Sequence, residues 1–446
     1  MKIRRIAVKK LFGVFNHVIQ LNEKDHITII HGPNGFGKTV LLTMLNAVFN
    51  LDYPLLKRTP FIDFTLDFTD RSTLRIVRDT NISIRRGDTN GIDAKLIFNY
   101  KTKTKKTQKY IVKSLNERDL PFSLNILERE IRGLERIGYD TWRYRLTGEK
   151  LNMEEVLSRF RGQLHLPLFE RSTPKWLTDI KDGISIRFIE AQRLLTYPAS
   201  SRHPEYEGKR SMVPAVMNYS ELLAQVIQEK LAEYASLSQS LDRSFPTRLV
   251  KGSSSTQTTI SNLRKNLKEL ENKRQRLIVA GLLEKEKEQD LGELKNIDKS
   301  KINVLSVYVE DVKRKLQVLD DLSNKIDLLV KIINNRFLYK QLSINKKDGF
   351  IFHTPDGKTL SAQSLSSGEQ HELVLLYQLL FMVKPESLIL IDEPELSLHV
   401  AWQQQFLKDL QEITKLAGFD FLIATHSPQI IHDRWDLTVE LKGPSK

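Results

Sequence analysis

The chain has 446 residues, more than one compact core usually holds, so its length predicts two or three structural units. It contains no cysteine, which excludes disulfide bonds and thiolate metal sites. No apolar run reaches the roughly 20 residues of a membrane-spanning helix, and the basic first residues lead into a strand pattern rather than a signal sequence. Together with 40% hydrophobic and 28% charged residues, these features predict a soluble cytoplasmic protein.

The formal net charge is +14. An excess of this size favours acidic partners such as nucleic acid or an acidic protein surface. A surface whose charge only maintains solubility is the alternative, and charge alone does not separate the two.

The N-terminal part of the chain is predicted to begin an α/β domain. Residues 3–8 and 26–31 have strand patterns, and residues 38–49 have the apolar spacing of a helix. Alternation of apolar and polar residues over 61–112 predicts an antiparallel sheet. Residues 115–180 show no clear pattern and are interpreted as mixed, mainly helical.

The middle of the chain is predicted to be helical, after a further strand at 186–192. Apolar residues recur every three or four positions from 260 to 277, and in heptads from 302 to 333 with only Ser323 interrupting. Because a polar stretch at 292–301 separates the two runs, an antiparallel coiled-coil hairpin is favoured, the second run being about 50 Å long. A three-helix bundle on the domain surface is the alternative.

The last part of the chain is again predicted to be α/β. Its expected strands are 349–353, 387–391 and 419–424, and its expected amphipathic helices are 367–383 and 398–416. The predicted domain segments are 1–195, which includes the β subdomain, 214–340, the helical insertion, and 345–446.

A phosphate loop is predicted between the second strand and the first helix. Gly32-Pro-Asn-Gly-Phe-Gly-Lys-Thr39 matches G-x-x-x-x-G-K-[ST], whose glycines let backbone amides surround a phosphate at the start of a helix. Lys38 can reach the outer phosphates, and the Thr39 hydroxyl can bind Mg²⁺. The residues predicted to contact ATP here are Asn34, Gly35, Gly37, Lys38 and Thr39.

Two carboxylates follow an apolar strand far along the chain, at Asp392 and Glu393. Open α/β sheets bind ligands at the carboxyl ends of their strands. Asp392 is therefore expected to position Mg²⁺, and Glu393 to polarise the water that attacks the γ-phosphate. An acidic pair after a strand is more often a helix cap or a solvated turn, but the phosphate loop upstream favours the catalytic interpretation.

A helix that begins with serine and glycine precedes the strand that ends in Asp392 and Glu393. The phosphate loop, this helix start and the two carboxylates, in that order along the chain, resemble the ABC ATPase family, in the branch of Rad50, SMC and RecF proteins. Leu365-Ser-Ser-Gly-Glu-Gln370 resembles the family signature, which in relatives contacts the nucleotide bound to the opposite subunit. The resemblance implies that ATP is also bound by Ser367, Gly368 and Glu369.

Three further segments extend the resemblance. Glu395-Leu-Ser-Leu-His399 resembles the loop that crosses the dimer interface. Ile423-Ala-Thr-His426-Ser-Pro resembles the switch-histidine motif, which implies a catalytic role for His426. Gln192 is the candidate for the glutamine loop and would contact both ATP and the metal.

The resemblance covers about 1–50, 186–195 and 350–430. It implies an ABC-type P-loop NTPase head with an antiparallel β subdomain and an inserted helical or coiled-coil hairpin. It also implies ATP and Mg²⁺, and head-to-head homo-oligomers in which ATP is sandwiched at a composite site. Phe36 replaces the common small residue of the phosphate loop and His399 the usual aspartate of the interface loop, and either could slow hydrolysis.

The motifs and the length also resemble the OLD-like ATPases of bacterial anti-phage systems, including the Septu ATPase PtuA and the PARIS ATPase AriA. Such ATPases act with a nuclease in the same chain or in a partner. Since the chain ends twenty residues after His426, no Toprim nuclease domain is expected, and a separate nuclease effector is implied. DNA repair of the RecF or SbcC type, with direct DNA binding, is the main alternative. A transporter ATPase is a third, disfavoured by the missing membrane segments and the basic charge.

A basic run extends from Lys95 to Lys113, with seven lysines and no acidic residue. It could bind DNA, an acidic phage protein or a nuclease subunit through phosphates or carboxylates. An edge strand kept soluble by lysines is an equally good interpretation.

Overall fold

The computed structural model describes the following residues: 1–79, 94–103, 106–112, 122–131, 133–145, 148–160, 173–189, 195–196, 213–250, 259–284, 302–396 and 398–443. The chain divides into two compact units. The first unit consists of residues 1–191, 384–396 and 403–446, and the second of residues 192–383 and 397–402. The predicted C-terminal segment 345–446 is thus shared between the two units.

A five-stranded parallel sheet forms the α/β part of the first unit. In spatial order its strands are β11 (Ile186–Ile189), β17 (Leu388–Asp392), β18 (Asp420–Ala424), β3 (Ile27–His31) and β19 (Thr438–Glu440). These central strands are almost wholly apolar because both faces of the sheet are covered. The predicted α/β class is confirmed, and the strands predicted at 26–31, 387–391 and 419–424 lie within one residue of the observed bounds.

The register of the central strands places three loops side by side. Asp392 of β17 is level with Ala424 of β18, which is level with Ile30 of β3. The segments that follow these residues therefore leave the same edge of the sheet together.

A six-stranded antiparallel sheet is the second part of the first unit, as predicted for residues 61–112. Its spatial order is β2 (Phe15–Gln20), β1 (Ile3–Leu11), β4 (Asp63–Phe68), β5 (Thr73–Asp79), β6 (Lys95–Lys101) and β7 (Gln108–Ile111). One face is buried, and Phe64, Leu66 and Phe68 of β4 are fully inaccessible. The period-two burial expected for a sheet with one covered face is thus present.

The helices of the first unit are short, apart from the first and the eleventh. They are α1 (Lys38–Asn50), α2 (Tyr53–Arg58), α3 (Asn125–Glu130), α4 (Met153–Arg159), α5 (Lys175–Gly183), most of α11 (Val400–Ala417) and α12 (Pro428–Ile431).

The prediction of a mainly helical segment at 115–180 was wrong for its central part. A three-stranded antiparallel sheet lies there, formed by β8 (Leu134–Gly138), β9 (Thr141–Tyr144) and β10 (Lys150–Leu151). Strands of two to five residues are too short to show a clear alternation, although Trp142 of β9 is fully buried.

The second unit is mainly helical. Its main helices are α6 (Ala215–Val250), α7 (Ile260–Val279), α8 (Ile302–Gln317), α9 (Asp320–Arg336) and α10 (Ser367–Phe381). Its strands are β12 (Leu195–Thr196), β13 (Val213–Pro214), β14 (Gln341–Asn345), β15 (Gly349–His353) and β16 (Thr359–Leu360). No described helix is both long and apolar enough to cross a membrane.

The predicted antiparallel pairing of the two apolar runs was wrong. Lys273 of α7 pairs with Asp320, and the later Arg276 pairs with the later Asp327. Because the partners advance in the same direction along the chain, 47 and 51 positions apart, the two runs are parallel. α8 is antiparallel to α6 instead, since Arg248 pairs with Asp311 whereas the earlier Asp242 pairs with the later Lys315. Heptads define an apolar seam but not the direction of the partner helix, and the three-helix alternative describes this packing better.

The second run is also broken, although its heptads predicted one continuous helix. α8 ends at Gln317 and α9 begins at Asp320, around the buried Leu319. Asp320 and Asp321 lie in the first turn of α9, where the positive end of the helix dipole favours carboxylates. An acidic helix start within the heptads was the overlooked signal.

Candidate nucleotide site

The phosphate loop occupies residues 32–37, between β3 and α1. Gly35 and Gly37 have φ values of 84° and 86°, in the left-handed region that favours glycine. A Cβ atom at Gly37 would also lie 2.6 Å from Cδ2 of Leu11. Gly37 is therefore required by its backbone conformation and by its contact with β1.

Lys38 is the buried cation of the loop, only 4% exposed. Its Nζ donates to the carbonyl oxygens of Gly32 at 2.7 Å and Pro33 at 3.1 Å, and lies 3.3 Å from Nδ1 of His426. Burial lowers the pKa of Lys38, while the neighbouring carboxylates, first that of Glu393, oppose this shift. The lysine is thus held in the concavity of the loop and faces His426.

Thr39 and Asp392 meet across 353 positions of sequence, where the Thr39 hydroxyl donates to Oδ1 of Asp392 at 3.1 Å. Burial raises the pKa of Asp392 to about 6, the hydrogen bond from Thr39 opposes the rise, and the carboxylates of Glu393 and Glu395 add to it. A hydroxyl and a carboxylate are the hard oxygen donors that Mg²⁺ prefers, and a cation would relieve the accumulation of negative charge. These two side chains fit a bound Mg²⁺ and would be the ones to hold it.

Glu393 has a strained backbone. Its φ of 43° is unusual for a residue with a side chain, and its N–H donates to the Ala424 carbonyl at 2.8 Å. Its Oε1 lies 3.5 Å from Nε2 of His426. Strained residues of this kind concentrate at functional sites, and here the strain accompanies the approach of two predicted catalytic side chains.

Glu395 joins the acidic loop (residues 392–396, at the end of β17) to the switch-histidine loop (residues 425–427, after β18), a role that the sequence analysis missed. Its Oε1 accepts from the His426 backbone N–H at 2.7 Å, and its Oε2 from the Thr425 hydroxyl at 2.8 Å. The partners lie 31 and 30 positions away, so no local pattern marks the contact. A third carboxylate, separated from the acidic pair by Pro394, was the only available signal.

His17 is a second residue that sequence reasoning missed. It is buried, and its Nε2 lies 2.9 Å from the carbonyl oxygen of Phe36. Burial lowers the pKa of His17, which favours a neutral ring that donates from Nε2 to this carbonyl. The Phe36 ring lies against that of Phe15, with ring centroids 5.1 Å apart. The large residue at position 36 thus anchors the phosphate loop to β2.

The signature-like residues lie at the start of α10, in the second unit. Ser366 caps the helix and forms a reciprocal capping box with Glu369. The Glu369 carboxylate also accepts from Nζ of Lys340 at 2.7 and 2.9 Å, and a Cβ atom at Gly368 would meet nothing within 4 Å. Ser367 and Gly368 therefore begin an open helix N-terminus, whereas Glu369 is engaged within its own unit.

The predicted site residues thus fall into three sets. Lys38, Thr39, Asp392, Glu393 and His426 come together in the first unit, with Asn34 and Gly35 exposed on the same loop. Ser367, Gly368 and Glu369 belong to the second unit. Gln192 lies outside the described residues.

A phosphate loop whose lysine and hydroxyl face two carboxylates and a histidine is the arrangement of a P-loop nucleoside triphosphatase. Residues 220–432 match a family model described as "AAA domain, putative AbiEii toxin, Type IV TA system". The match and the geometry together support an ATPase of the AAA/ABC type.

Among curated proteins, the chain is similar to the "Retron Ec83 probable ATPase" of Escherichia coli. The two are 35% identical over 85 residues, which cover 17% of this chain and 15% of that protein. Because so small a share of the retron protein is matched, its activity and partners transfer to this chain only as proposals.

Among solved structures, the chain is similar to the SMC head domain from Thermotoga maritima, with a TM-score of 0.34, 11% identity and coverage of 97% of this chain and 91% of that one. The Smc head domain with an extended coiled coil from Pyrococcus furiosus, bound to the C-terminal domain of ScpA, gives a TM-score of 0.32, 13% identity and coverage of 99% and 94%. TM-scores of this size support no inference about function.

Proposed function

We propose that the chain hydrolyses ATP at a site completed by a second copy, and that it acts as a sensor and scaffold in anti-phage defence, controlling a separate nuclease. The cluster of Lys38, Thr39, Asp392, Glu393 and His426 is the observation that carries the ATPase part of the proposal. It contains a cation for the phosphates, oxygen donors for Mg²⁺ and a carboxylate next to a histidine.

The proposed chemistry uses residues of this cluster. Glu393 orients a water molecule, whose oxygen attacks the γ-phosphorus as the bond to the oxygen bridging the β- and γ-phosphates breaks. The electron pair of that bond leaves with ADP, and the proton of the water passes to Glu393 and then to the released phosphate. Lys38 and His426 stabilise the charge on the γ-phosphate oxygens, and Mg²⁺ held by Thr39 and Asp392 would neutralise the phosphates.

The second copy would supply the residues that start α10. Its open N-terminus presents backbone N–H groups and the positive end of the helix dipole, which suit a phosphate. Ser367 and Gly368 would contact the γ-phosphate of ATP held by the phosphate loop of the other copy. Turnover would then depend on how the copies meet.

Complementation tests this arrangement. A Lys38→Ala variant lacks the phosphate-loop cation, and a Ser367→Arg variant blocks the helix start, so each alone should be nearly inactive. Co-expression of the two should restore about a quarter of wild-type turnover, because half of randomly formed dimers are mixed and each carries one intact site. An inactive mixture that still contains mixed dimers would refute the composite site.

The role in defence rests on the similarity to a retron ATPase and on the resemblance of the motifs to the OLD-like ATPases. Its test is a phage challenge of cells that express the chain with its neighbouring genes. Protection that is lost with Glu393→Gln, and lost again when a neighbouring nuclease gene is deleted, would support it. Protection without any nuclease would contradict the effector part of the proposal.

A DNA-repair ATPase that binds DNA directly is the second candidate function, favoured by the basic edge of the antiparallel sheet. β7 is the last strand of this sheet, and Lys101, Lys103, Lys106 and Lys109 of this edge are exposed and form no ion pair with another described residue. Phosphate contacts make affinity fall steeply with salt. Duplex binding that weakens with salt and stimulates ATP turnover would favour this candidate, and its absence would favour the lysines as protection of an edge strand.

A further inference from the structure

Glu395 contacts the switch-histidine loop at two points, the His426 backbone N–H and the Thr425 side-chain hydroxyl, and neither contact is to the imidazole. One carboxylate oxygen accepts from the His426 backbone N–H and the other from the Thr425 hydroxyl, at 2.7 and 2.8 Å. Hydrogen bonds to an ionised acceptor are short and strong. The direction in which the His426 side chain leaves the backbone therefore depends on Glu395.

A second set of hydrogen bonds holds the same two loops together. Nε2 of Gln403 donates to the Glu395 carbonyl at 3.3 Å, and its Oε1 accepts from the Ser427 hydroxyl at 2.8 Å. The Ser427 N–H donates to the Thr425 hydroxyl at 3.0 Å. The residue before His426 and the residue after it are thus both tied to the segment that begins at Glu395.

The geometry points to Glu395 as the positioning residue that holds His426 between Lys38 and Glu393, so that the start of the interface-loop segment controls hydrolysis. The His426 ring lies 3.3 Å from Lys38 through Nδ1 and 3.5 Å from Glu393 through Nε2. Released from Glu395, the ring would lose both approaches. This inference rests on the proposed ATPase function and adds a regulatory connection to that site.

Only the His426 N–H requires an acceptor on residue 395, because the Thr425 hydroxyl can either donate or accept, and neither contact requires the negative charge. In a Glu395→Gln variant the amide oxygen can accept from the His426 N–H while the amide nitrogen donates to the Thr425 hydroxyl. In a Glu395→Ala variant both connections are lost. The two variants therefore separate positioning from the electrostatic effect of a third carboxylate.

The kinetic experiment compares both variants with Glu23→Ala, a matched control at an exposed glutamate before β3. Small misplacements of catalytic groups cost up to about 100-fold, so Glu395→Ala should lower kcat roughly 10- to 100-fold. Its Kd for a fluorescent ATP analogue should stay within about threefold, because the phosphate loop is intact. Glu395→Gln should retain most of the turnover and Glu23→Ala all of it.

A spectroscopic arm separates failure of this inference from failure of the proposed function. The chain has ten histidines, and in protein with ¹³C-labelled histidines a His426→Gln variant identifies the His426 signal. That signal should shift in Glu395→Ala and stay near its wild-type position in Glu395→Gln, whether or not ATP is hydrolysed. A wild-type chain without turnover would overturn the proposed function, whereas an unmoved His426 signal would overturn the role of Glu395. Equal loss of kcat in both variants would also overturn it, since charge and not positioning would then be the cause.

Discussion

The two halves of the proposed site are built differently. In the first unit, the phosphate loop and the start of α1 contact His426 and Asp392 across 388 and 353 sequence positions, and His426 also approaches Glu393. In the second unit, Ser366 caps the start of α10 in a reciprocal pair with Glu369, and Lys340 of the same unit donates to the Glu369 carboxylate. The first half is thus assembled by tertiary structure, whereas the second is an open helix end formed by local capping.

This difference teaches where sensitivity to mutation should lie. Buried groups with several polar partners are costly to change, because each lost partner leaves another group unsatisfied. An exposed helix start tolerates change in the isolated chain and matters only when something binds to it. Variants in the first unit should therefore alter binding or chemistry, and variants in the second unit should alter how turnover depends on association.

The largest effect is expected for Glu393→Gln. Loss of the carboxylate that orients water should lower kcat by about 10²- to 10⁴-fold, while the phosphate loop still binds ATP. Steady-state turnover together with equilibrium binding of an ATP analogue measures both quantities. Unchanged turnover would mean that the strained residue after β17 is not the base.

Lys38→Ala should have the next largest effect, and on binding rather than on chemistry alone. Charge-assisted hydrogen bonds contribute about 1.5–3 kcal/mol, so the Kd for ATP should rise roughly 10- to 100-fold. Isothermal titration of the variant with ATP and Mg²⁺ measures this. Wild-type affinity would contradict the assignment of the phosphate loop, and with it the contrast between the two halves.

His17→Phe tests how much the hydrogen bond from His17 to the phosphate loop stabilises the fold. The substitution keeps an aromatic ring beside Phe15 but removes the donor to the Phe36 carbonyl, so the free energy of unfolding should fall by about 1–3 kcal/mol. Chemical denaturation measures the loss. A His399→Phe variant, at an exposed histidine whose Nδ1 accepts from the Ala401 N–H, should lower the free energy of unfolding by less than about 1 kcal/mol, because water can replace an exposed acceptor.

Short-range features of the fold were predictable from the sequence, and features that depend on distant partners were not. The strand at 349–353 and the helix beginning at Lys38 follow from local patterns and agree with the structure. The parallel course of α7 and α9 does not follow from heptads, which repeat identically in either direction.

The candidate site follows the same rule. Lys38, Thr39, Asp392, Glu393 and His426 were predicted from motifs in chain order, and the structure brings these residues together. Glu395 and His17 act through a backbone N–H and a carbonyl, which every residue possesses. No motif can mark such contacts, because the sequence does not reveal which main-chain group will lie nearby.

The smallest effect is expected for Lys340→Met, which releases Glu369 from its ion pair in the second unit. The pair is partly exposed, with side-chain accessibilities of 23% and 13%, so the change in stability should stay below about 1 kcal/mol. If Glu369 must reach the ATP of another copy, its release should shift the protein concentration of half-maximal turnover by a few-fold without changing ATP affinity in the isolated chain. A matched Lys358→Met variant, whose lysine is far more exposed in its pair with Asp356, should change neither quantity. If Lys340→Met instead weakens ATP binding by the isolated chain, the second unit contributes to the nucleotide site within one copy. The proposed division, in which the first unit binds ATP and the second acts only on the ATP of another copy, would then be wrong.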